Sequence, residues 1–479
     1  MSISTMADNG SGDLLKLNDR LDSMKAAFLL NPYPPLEERR DHLRALISML
    51  VSNRQRIRDA LRADFHSHSD LYADLIEMVG PVERAHAAIG NLEKWMAHEE
   101  RYADPALYGD GKAYVEYQPK GVIGSIVPWN FPVELACGPL SDILAAGNRA
   151  MIKPSEFTPV TSSMLREIIG ATFDEDHVHV VEGGEEMARH FSAQKWDHLL
   201  YIGSTRVGRL VMKAAAENLV PVTLELGGKC PALLTKSGVN PKSVASILGL
   251  KTMKNGQACV SADYALVPSS EKEKFLELVL RYSRDTIPGF FNSDDCTGII
   301  SRSHFDRIQA LIEDARSKGA EIISLDESVE ADASSRRMAL HLVIDPSPDA
   351  RVTKEEVFGP VLPIIWYDEL DDAIALINRG ERPLAIYIFS EDKQEIENVL
   401  RRTISGGVTV NGGAIHGTLS TLGFGGIGGS GMGRHHGWDG FREFSNARAI
   451  FVRGEQDNVD ILYPPYGDAV REVVDSILT

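Results

Sequence analysis

GVIGSIVPW, residues 121–129, opens a series of five short runs rich in β-branched and apolar residues. The other four are AMIKP (150–154), VHVVEGG (178–184), HLLYIGS (198–204) and VPVTLELGG (220–228). Stretches with helical character separate them, at 132–146, 161–172 and 205–218. This alternation favours a parallel sheet with helices on both faces, and such sheets bind ligands at the carboxyl ends of their strands. We therefore expect functional residues in the turns that end these runs.

A second alternating series follows Gly228 and predicts a second α/β domain. Its strands are predicted at ALLTK (232–236), YALVPS (264–269), LHLVID (340–345), VLPIIWY (361–367), LAIYIFS (384–390) and GGVTV (406–410). Before the first series, apolar spacing predicts an amphipathic helix from Leu36 to Leu61 and further helix from Leu71 to Trp95. Beyond Gly423 the chain is rich in glycine, and FREFSNARAIFVRG (441–454) then indicates an extended arm. The chain as a whole is therefore predicted to be α/β.

Composition narrows the classes of partner. The 479 residues include 50 Lys and Arg against 68 Asp and Glu, a net charge of −18, which disfavours binding to nucleic acid or anionic lipid. No apolar run approaches the roughly 18 residues of a membrane helix, so we expect no membrane insertion. Residues 1–12 lack the basic and apolar parts of a secretory signal, so a flexible tail and a cytoplasmic protein are expected. Four scattered cysteines exclude a disulfide framework, and no metal site is expected.

Three segments are candidates for binding a phosphate-bearing cofactor. Gly426 to Gly431 satisfies GxGxxG literally, but it lies near the C-terminus with no helical pattern after it, which argues against a dinucleotide loop. The run from Gly203 to Gly208 fits better, because it follows a predicted strand and opens a predicted helix whose N-terminus would face a pyrophosphate. The loop from Lys153 to Glu156 offers an ammonium and a carboxylate suited to phosphate and ribose hydroxyls. The alternatives are an ordinary structural turn for 203–208 and a solvated loop with a surface ion pair for 153–156.

Three side chains are candidates for catalysis. Cys259 follows the helical stretch 241–254, and Glu225 ends the last strand of the first series. Asn130 lies between Trp129 and Phe131 in PWNFP (128–132), a rigid way to aim one amide N–H₂. Buried cysteines are usually small hydrophobes, strand-end glutamates are usually solvated, and PWNFP suits a structural turn. From the residues alone, the catalytic and the structural interpretation of each side chain stay open.

Taken together, these segments resemble the aldehyde dehydrogenase superfamily from about Pro34 to Arg453. Eight blocks occur in the order typical of that family: PWNFP (128–132), KPSE (153–156), GSTRVG (203–208), LELGGK (224–229), GQAC (256–259), EEVFGP (355–360), NGG (411–413) and FGGIGGSGMG (424–433). The run SGMGRHHGWDGFREFS and the short N-terminus are most similar to the class 3 branch, and within it to the coniferyl aldehyde dehydrogenases.

The resemblance implies a Rossmann-type cofactor domain (13–100 and 120–227), a second α/β catalytic domain (228–427), a β oligomerisation arm (101–119 and 438–455), and tails at 1–12 and 456–479. It also implies the roles of individual residues. Cys259 would be the nucleophile, Glu225 the general base, and Asn130 with the Cys259 backbone N–H the oxyanion donors. The implied cofactor contacts are Lys153, Glu156, Gly203, Ser204, Gly208, Trp129, Leu226, Glu356 and Phe358.

The implied activity is NAD(P)-dependent oxidation of an aldehyde to the acid, with a hydrophobic or aromatic aldehyde such as coniferyl aldehyde as substrate and a homodimer as the assembly. NAD is expected as cofactor, because the Glu156 carboxylate suits a ribose 2′-OH and repels a 2′-phosphate, although relatives in this branch sometimes accept NADP. A medium-chain or fatty aldehyde dehydrogenase is the main alternative. A CoA-acylating enzyme does not need the Glu225 base, a cysteine amidase needs a histidine partner, and a structural protein on this fold would not need Cys259.

Overall fold

The computed structural model describes residues 4–329 and 335–479. The helices are α1 (Ser4–Leu30), α2 (Leu36–Ser52), α3 (Arg54–Phe65), α4 (Asp70–Tyr72), α5 (Gly80–Met96), α6 (Pro105–Tyr108), α7 (Glu134–Ala145), α8 (Pro159–Gly170), α9 (Glu185–Ser192), α10 (Thr205–Ala216), α11 (Pro241–Thr252), α12 (Lys272–Thr286), α13 (Arg302–Ser317), α14 (Arg351–Lys354), α15 (Leu370–Arg379), α16 (Lys393–Arg402), α17 (Ile415–Thr418), α18 (Gly437–Glu443) and α19 (Asp468–Leu478). A π-helical segment joins α4 to α5 at Ala73–Val79, and 3₁₀ segments lie at Met253–Gly256, Ser269–Glu271, Phe290–Asn292 and Val459–Leu462.

The strands form three sheets. They are β1 (Glu99–Arg101), β2 (Lys112–Pro119), β3 (Val122–Ile126), β4 (Arg149–Lys153), β5 (Val178–Val180), β6 (His198–Gly203), β7 (Val222–Leu226), β8 (Pro231–Leu234), β9 (Tyr264–Pro268), β10 (Glu321–Ser324), β11 (His341–Ile344), β12 (Val361–Tyr367), β13 (Ala385–Phe389), β14 (Gly407–Val410), β15 (Gly431–Met432) and β16 (Ser445–Val452).

The first sheet has the strand order β15-β7-β6-β3-β4-β5. Its five strands β3 to β7 are mutually parallel, and the short β15 runs antiparallel at the edge. Numbered along the chain, the five parallel strands follow the order 3-2-1-4-5 of a dinucleotide-binding sheet. The strand order reverses between β3 and β6, so the crevice for a ligand is expected where those two strands end.

Helices cover both faces of this sheet, as the alternating sequence predicts. One face packs on α2, α3, α5, α7 and α8 through residues such as Leu50, Leu61 and Leu140. The other face packs on α1, α9 and α10 through residues such as Leu21 and Phe191. Because the sheet is buried on both sides, its strands are nearly continuous apolar runs, which explains why the sequence makes them easy to recognise.

The second sheet has the order β10-β11-β12-β9-β8-β13-β14 and is parallel except at β10. All six predicted strands of the second series are present. The sequence analysis missed β10, a four-residue edge strand that is only partly buried. The third sheet, β1-β2-β16, joins two distant parts of the chain, since β16 pairs along its full length with β2.

Helix boundaries differ from the predictions in three places. The predicted helix from Leu36 to Leu61 is divided into α2 and α3 at Asn53, whose side chain and backbone N–H both bond the Met49 carbonyl. Residues 4–12, expected as a tail, lie in α1, where helix propagates back from Leu17 and Leu21, which are buried against the sheet. Residues 1–3 lie outside the described part. The segment 456–479, also expected as a tail, contains the exposed helix α19.

Residues 4–329 and 335–479 contain no helix that is both long enough and apolar enough to cross a bilayer.

Candidate active site

Most of the predicted site residues converge at the crevice where β3 and β6 end. A cavity of about 230 Å³ lies there, between the first sheet and two loops that follow α11 and α14. Nine of the twelve predicted residues line it: Trp129, Asn130, Gly203, Ser204, Glu225, Leu226, Cys259, Glu356 and Phe358. Lys153, Glu156 and Gly208 do not line this cavity. Parallel strands bring Asn130, Ser204 and Glu225 together because the carboxyl ends of these strands lie along one edge of the sheet. Cys259, Glu356 and Phe358 reach the cavity on loops outside that sheet.

Cys259 lies on a loop with a constrained backbone. The preceding 3₁₀ segment holds Lys254 and Asn255 at positive φ angles of 51° and 53°. The Gln257 side chain fixes this loop, donating to the Lys254 and Gly298 carbonyls at 2.9 and 3.0 Å and accepting from a backbone N–H at 3.0 Å. Of the four cysteines in the chain, Cys259 is the one that is not fully buried. It is therefore the thiol that a small molecule in the cavity can reach.

The surroundings of Cys259 do not favour the thiolate. Burial raises the pKa of the Cys259 thiol well above its usual range, and the charge of Glu225 raises that pKa further. At neutral pH the sulfur is thus protonated in the free enzyme, and attack on a substrate requires a group that removes the proton.

Glu225, which lines the same cavity, is the candidate for that base. It lies on β7, with a side chain only 3% exposed, and neither carboxyl oxygen has a hydrogen-bond partner among the described residues. Burial, with a further contribution from Glu356, raises the pKa of this carboxyl well above its usual value. The raised pKa makes Glu225 a stronger base once it is ionised, and no protein partner blocks its oxygens from taking a proton from a thiol or from a water molecule.

Asn130 is held in a turn between β3 and α7. It is 3% exposed and lines the same cavity as Cys259. The flanking Phe131 is buried, and its carbonyl accepts the Leu135 N–H at 2.9 Å, so the turn leads directly into the helix. A rigid backbone on both sides restricts where the Asn130 amide can point.

The Glu356 to Phe358 loop closes the opposite wall of the cavity. Glu356 accepts the Gly228 N–H at 3.2 Å, and burial raises the pKa of Glu356 to about 8. Phe358 has a positive φ of 47°, and its ring meets the Trp129 ring edge-on at 5.3 Å. The strained backbone at Phe358 is compatible with a functional position.

Two loops at the edge of the first sheet fit a dinucleotide. Ser204 follows β6 and caps α10, accepting the Val207 N–H at 3.4 Å, so the positive end of this helix faces the crevice. Gly208 lets α10 approach β7 closely, because an added Cβ would lie 2.6 Å from Leu226. Beyond β4, the buried Lys153 ammonium bonds the partly exposed Glu156 carboxylate at 3.0 Å. A helix N-terminus, an ammonium and an accessible carboxylate are the groups that can bind the pyrophosphate and ribose of a dinucleotide.

The Gly426 to Gly431 run forms no strand-to-helix loop. It turns through two positive-φ glycines, Gly428 and Gly431, and ends in β15, which pairs antiparallel with β7. Its role is structural: the Ser430 carbonyl accepts the Leu226 N–H at 3.1 Å and so fixes the end of β7 beside Glu225.

Two ionisable side chains that were not predicted from the sequence, His304 and Arg307, also line the cavity. His304 and Arg307 lie in the first turns of α13, more than forty residues from any predicted site residue in the chain. Arg307 donates to the Val357 carbonyl at 2.6 Å, and His304 contacts the Trp129 ring edge-on at 5.0 Å. No motif marks them, because a histidine and an arginine one turn apart on an amphipathic helix are common on solvent-exposed faces.

Comparison with known proteins identifies the family of the chain. The model of the aldehyde dehydrogenase family matches residues 11–450 of the chain. The chain belongs to this family. It is therefore an NAD(P)-dependent aldehyde oxidoreductase, as the order of the eight sequence blocks indicates.

Similar members of the aldehyde dehydrogenase family include two bacterial enzymes named for coniferyl aldehyde. A probable coniferyl aldehyde dehydrogenase of Caulobacter vibrioides is 42% identical over 462 residues, covering 95% of each chain. The coniferyl aldehyde dehydrogenase of a Pseudomonas species is 41% identical over 467 residues, covering 97% of this chain and 96% of the relative. Among solved structures, the Mycobacterium tuberculosis aldehyde dehydrogenase complexed with NAD⁺ superposes with a TM-score of 0.81 at 26% identity, covering 91% of this chain and 90% of that one. The predicted α/β fold and the NAD(P)-dependent enzyme class are thus confirmed.

Proposed function

We propose that this aldehyde dehydrogenase oxidises a hydrophobic, aromatic aldehyde to its carboxylic acid through a thioester on Cys259. The observation that carries the mechanism is the pairing in one cavity of the one accessible thiol with Glu225, a buried carboxyl whose oxygens have no partner among the described residues. The substrate class is supported by the relatives at 41 and 42% identity, both named for coniferyl aldehyde. Phe358 and Trp129 add aromatic walls to the cavity.

In the first half of the reaction, Glu225 accepts the proton of the Cys259 thiol, and the sulfur adds to the aldehyde carbon. The carbonyl oxygen becomes an alkoxide, which the Asn130 amide and the Cys259 backbone N–H stabilise. One such donor typically contributes a factor on the order of 100 to 1000 in rate. When bound, NAD supplies the acceptor for the hydride that leaves this carbon, and the carbon is left as a thioester on Cys259.

In the second half, Glu225, which has by then released its first proton to solvent, accepts a proton from a water molecule while the water oxygen attacks the thioester carbon. The carbon–sulfur bond breaks, the acid leaves and Cys259 is regenerated. A CoA-acylating enzyme would pass the acyl group to a thiol instead and would not need this base. The position of Glu225 in the cavity therefore favours hydrolysis.

The residues at the sheet edge bind the cofactor in this proposal. Ser204 and the N-terminus of α10 hold the pyrophosphate, and Lys153 and Glu156 hold the adenosine ribose. Glu356 and Phe358 contact the nicotinamide half. The Glu156 carboxylate is partly exposed and repels a 2′-phosphate, so we expect NAD to be used in preference to NADP.

A substrate panel tests the proposed specificity. We expect coniferyl aldehyde and cinnamaldehyde to give the highest kcat/KM and medium-chain aliphatic aldehydes to follow. Betaine aldehyde should react at least about 100-fold more slowly, since it is small and hydrated and gains little from the apolar burial that an aromatic ring gains. The absorbance of the reduced cofactor is the readout, with NAD and NADP run in parallel. A preference for small charged aldehydes would contradict the proposed substrate class.

We further propose a division into a cofactor domain, a catalytic domain and the β1-β2-β16 arm, with the arm joining two copies of the chain into a homodimer. Both outer edges of the arm, β1 and β16, are unpaired within the described chain, as is the edge strand β14 of the second sheet. Phe451 and Val452 on β16 are about half exposed. Open strand edges with apolar side chains favour pairing with another chain.

Light scattering tests the assembly. At micromolar concentration we expect a particle of twice the 52.6 kDa of one chain. Val452→Lys places a charge on the open edge of β16 and should weaken the dimer about tenfold or more, whereas Val452→Thr keeps the strand propensity and should not. A monomeric wild-type enzyme would refute the proposal.

The cysteines support a cytoplasmic location. All four are free thiols, and none is paired with another. Unpaired thiols are typical of a reducing compartment.

A further inference from the structure

A second cluster of ionisable side chains lies behind the active site, away from the cavity. Lys254 and Glu77 form an ion pair with a separation of 2.8 Å, and both side chains are completely buried. The Lys254 ammonium also lies 2.6 Å from the Nε2 atom of His68. An isolated charge is costly to bury, so this ion pair is kept within the core only because its members satisfy each other.

Glu77 connects the pair to the Asn130 turn. Its second carboxyl oxygen accepts the backbone N–H groups of Val133 and Glu134 at 3.1 and 3.0 Å. These residues begin α7, where N–H groups have no partner within the helix. A carboxylate from the π-helical segment 73–79 thus caps the helix that starts immediately after the Asn130 turn.

Lys254 connects the pair to the nucleophile loop, the segment 253–259 that carries Cys259. It lies five residues before Cys259, at a positive φ, and its carbonyl accepts the Gln257 side chain that holds this loop. Its ammonium lies over the ring of Phe65 at 4.3 Å and over the ring of Phe131, the residue after Asn130, at 5.0 Å. The same side chain therefore contacts both segments that carry the groups facing the substrate carbonyl.

The chemistry of His68 is consistent with this arrangement. Burial lowers the pKa of its imidazole, so the ring is neutral. Its Nδ1 lies 3.0 Å from the Ser69 carbonyl, which fixes the tautomer with Nε2 as an acceptor for Lys254. The ammonium thus has a carboxylate and an imidazole as partners and two aromatic faces around it.

We propose that the Lys254–Glu77 ion pair positions Asn130 relative to Cys259, and so sets the geometry of the oxyanion site. Lys254 and Glu77 are positioning residues in this scheme, since neither lines the cavity. The inference rests on the proposed role of Asn130 as oxyanion donor. An ion pair suits this task because its directional contacts define a distance between two loops, which apolar packing alone defines less sharply.

Three variants test the link between the Asn130 turn and the loop that carries Cys259: Lys254→Met, Glu77→Gln and the two substitutions combined. We expect kcat per NAD-binding site to fall about 10-fold to 100-fold in each single variant, the size of effect that a misplacement of about 1 Å produces. The dissociation constant for NAD should change by less than about twofold. The double variant should be no more than about twofold slower than the slower single variant, because all three variants break the same Lys254–Glu77 ion pair. Unchanged kcat in the single variants, or losses that multiply in the double variant, would overturn the inference.

Two controls make the outcome specific. Lys254→Met alone leaves the Glu77 carboxylate buried without its ammonium partner, and the double variant does not. If Lys254→Met yields little folded protein, kcat is therefore measured on the double variant. Phe275→Leu removes buried volume from α12, on the second sheet, and should lower thermal stability while leaving kcat per NAD-binding site unchanged. If Phe275→Leu lowers kcat as much, the effect of Lys254→Met reflects general destabilisation and the inference fails.

Asn130→Ala separates failure of this inference from failure of the proposed site. We expect this variant to lose at least as much kcat as Lys254→Met, with NAD binding retained. If Asn130→Ala is impaired and Lys254→Met is not, the ion pair has no positioning role although the oxyanion site stands. If Asn130→Ala is unimpaired, the proposed oxyanion donor is wrong, and the inference fails with it.

Discussion

Replacing Cys259 with serine should abolish aldehyde oxidation, with a loss on the order of 10⁴-fold or more in kcat. The thiol already has a pKa raised by burial and needs a base to form the thiolate. A serine hydroxyl is far less acidic and less nucleophilic, so the same base cannot generate an alkoxide at neutral pH. NAD binding should be retained, since the substitution does not affect Ser204, Lys153 or the N-terminus of α10.

The measurement is steady-state formation of reduced cofactor, combined with titration of NAD binding by tryptophan fluorescence. Cys296→Ser is the matched control, because it makes the same exchange at a thiol that is fully buried and outside the cavity. That variant should keep its turnover. A Cys259→Ser enzyme retaining more than a few per cent of turnover would show that the nucleophile lies elsewhere.

Strands and their end turns are the part of this molecule that the sequence predicts well. Strands buried on both faces are short apolar runs, and the turns after β3, β6 and β7 carry the residues that meet in the cavity. Asn130, Ser204 and Glu225 can therefore be grouped from the amino-acid pattern alone. Cys259 needs the family resemblance, because its loop belongs to the other sheet and nothing local indicates that it faces Glu225.

Contacts that span long stretches of chain are the part that the sequence does not reveal. His304 and Arg307 reach the cavity from α13, whose pattern is that of an ordinary amphipathic helix. Lys254 and Glu77 are 177 residues apart, and each looks like a surface charge in its own segment. Only the packing of the π-helical segment against the nucleophile loop makes them partners. Buried ion pairs depend on tertiary contacts that periodicity cannot encode.

Local geometry also decides the smaller differences. Asn53 ends α2 by turning its own side chain onto the Met49 carbonyl, although the apolar spacing continues across it. The strand β10 is partly exposed at the edge of its sheet, so it lacks the continuous apolar run that marks the other strands. At Asn53 a side-chain hydrogen bond to the backbone ends the helix despite the hydrophobic pattern. At β10 the position at the sheet edge removes the need for that pattern.

Replacing Glu225 with glutamine should stall the enzyme after hydride transfer. If Glu225 chiefly activates the deacylating water, the amide leaves acylation of Cys259 partly intact and removes the base that breaks the thioester. A stopped-flow trace should then show a burst of reduced cofactor with an amplitude near one per active site. Steady turnover after the burst should fall by about 100-fold to 10⁴-fold, the usual contribution of a general base.

A stability measurement shows whether the Glu225→Gln enzyme is intact. The pKa of Glu225 is raised in the folded state, so the folded enzyme keeps a proton that the unfolded chain releases above its ordinary value of 4.5. The stability of the wild-type enzyme therefore declines as pH rises above that value, and the amide variant lacks this loss. The Tm of Glu225→Gln should exceed that of wild type by a margin that widens as the pH rises above 4.5, until the folded wild-type enzyme also releases this proton.

The burst experiment also separates the two roles of Glu225. If this carboxyl chiefly deprotonates Cys259, acylation itself slows, no burst appears, and raising the pH partly restores the rate by forming the thiolate directly. Added CoA provides a further arm, because rapid thiolysis of the trapped thioester would indicate an acylating enzyme instead of a hydrolytic one. A slow phase without a burst, unrelieved at high pH, would leave Glu225 with neither role, and its free carboxyl oxygens beside Cys259 would then require another explanation.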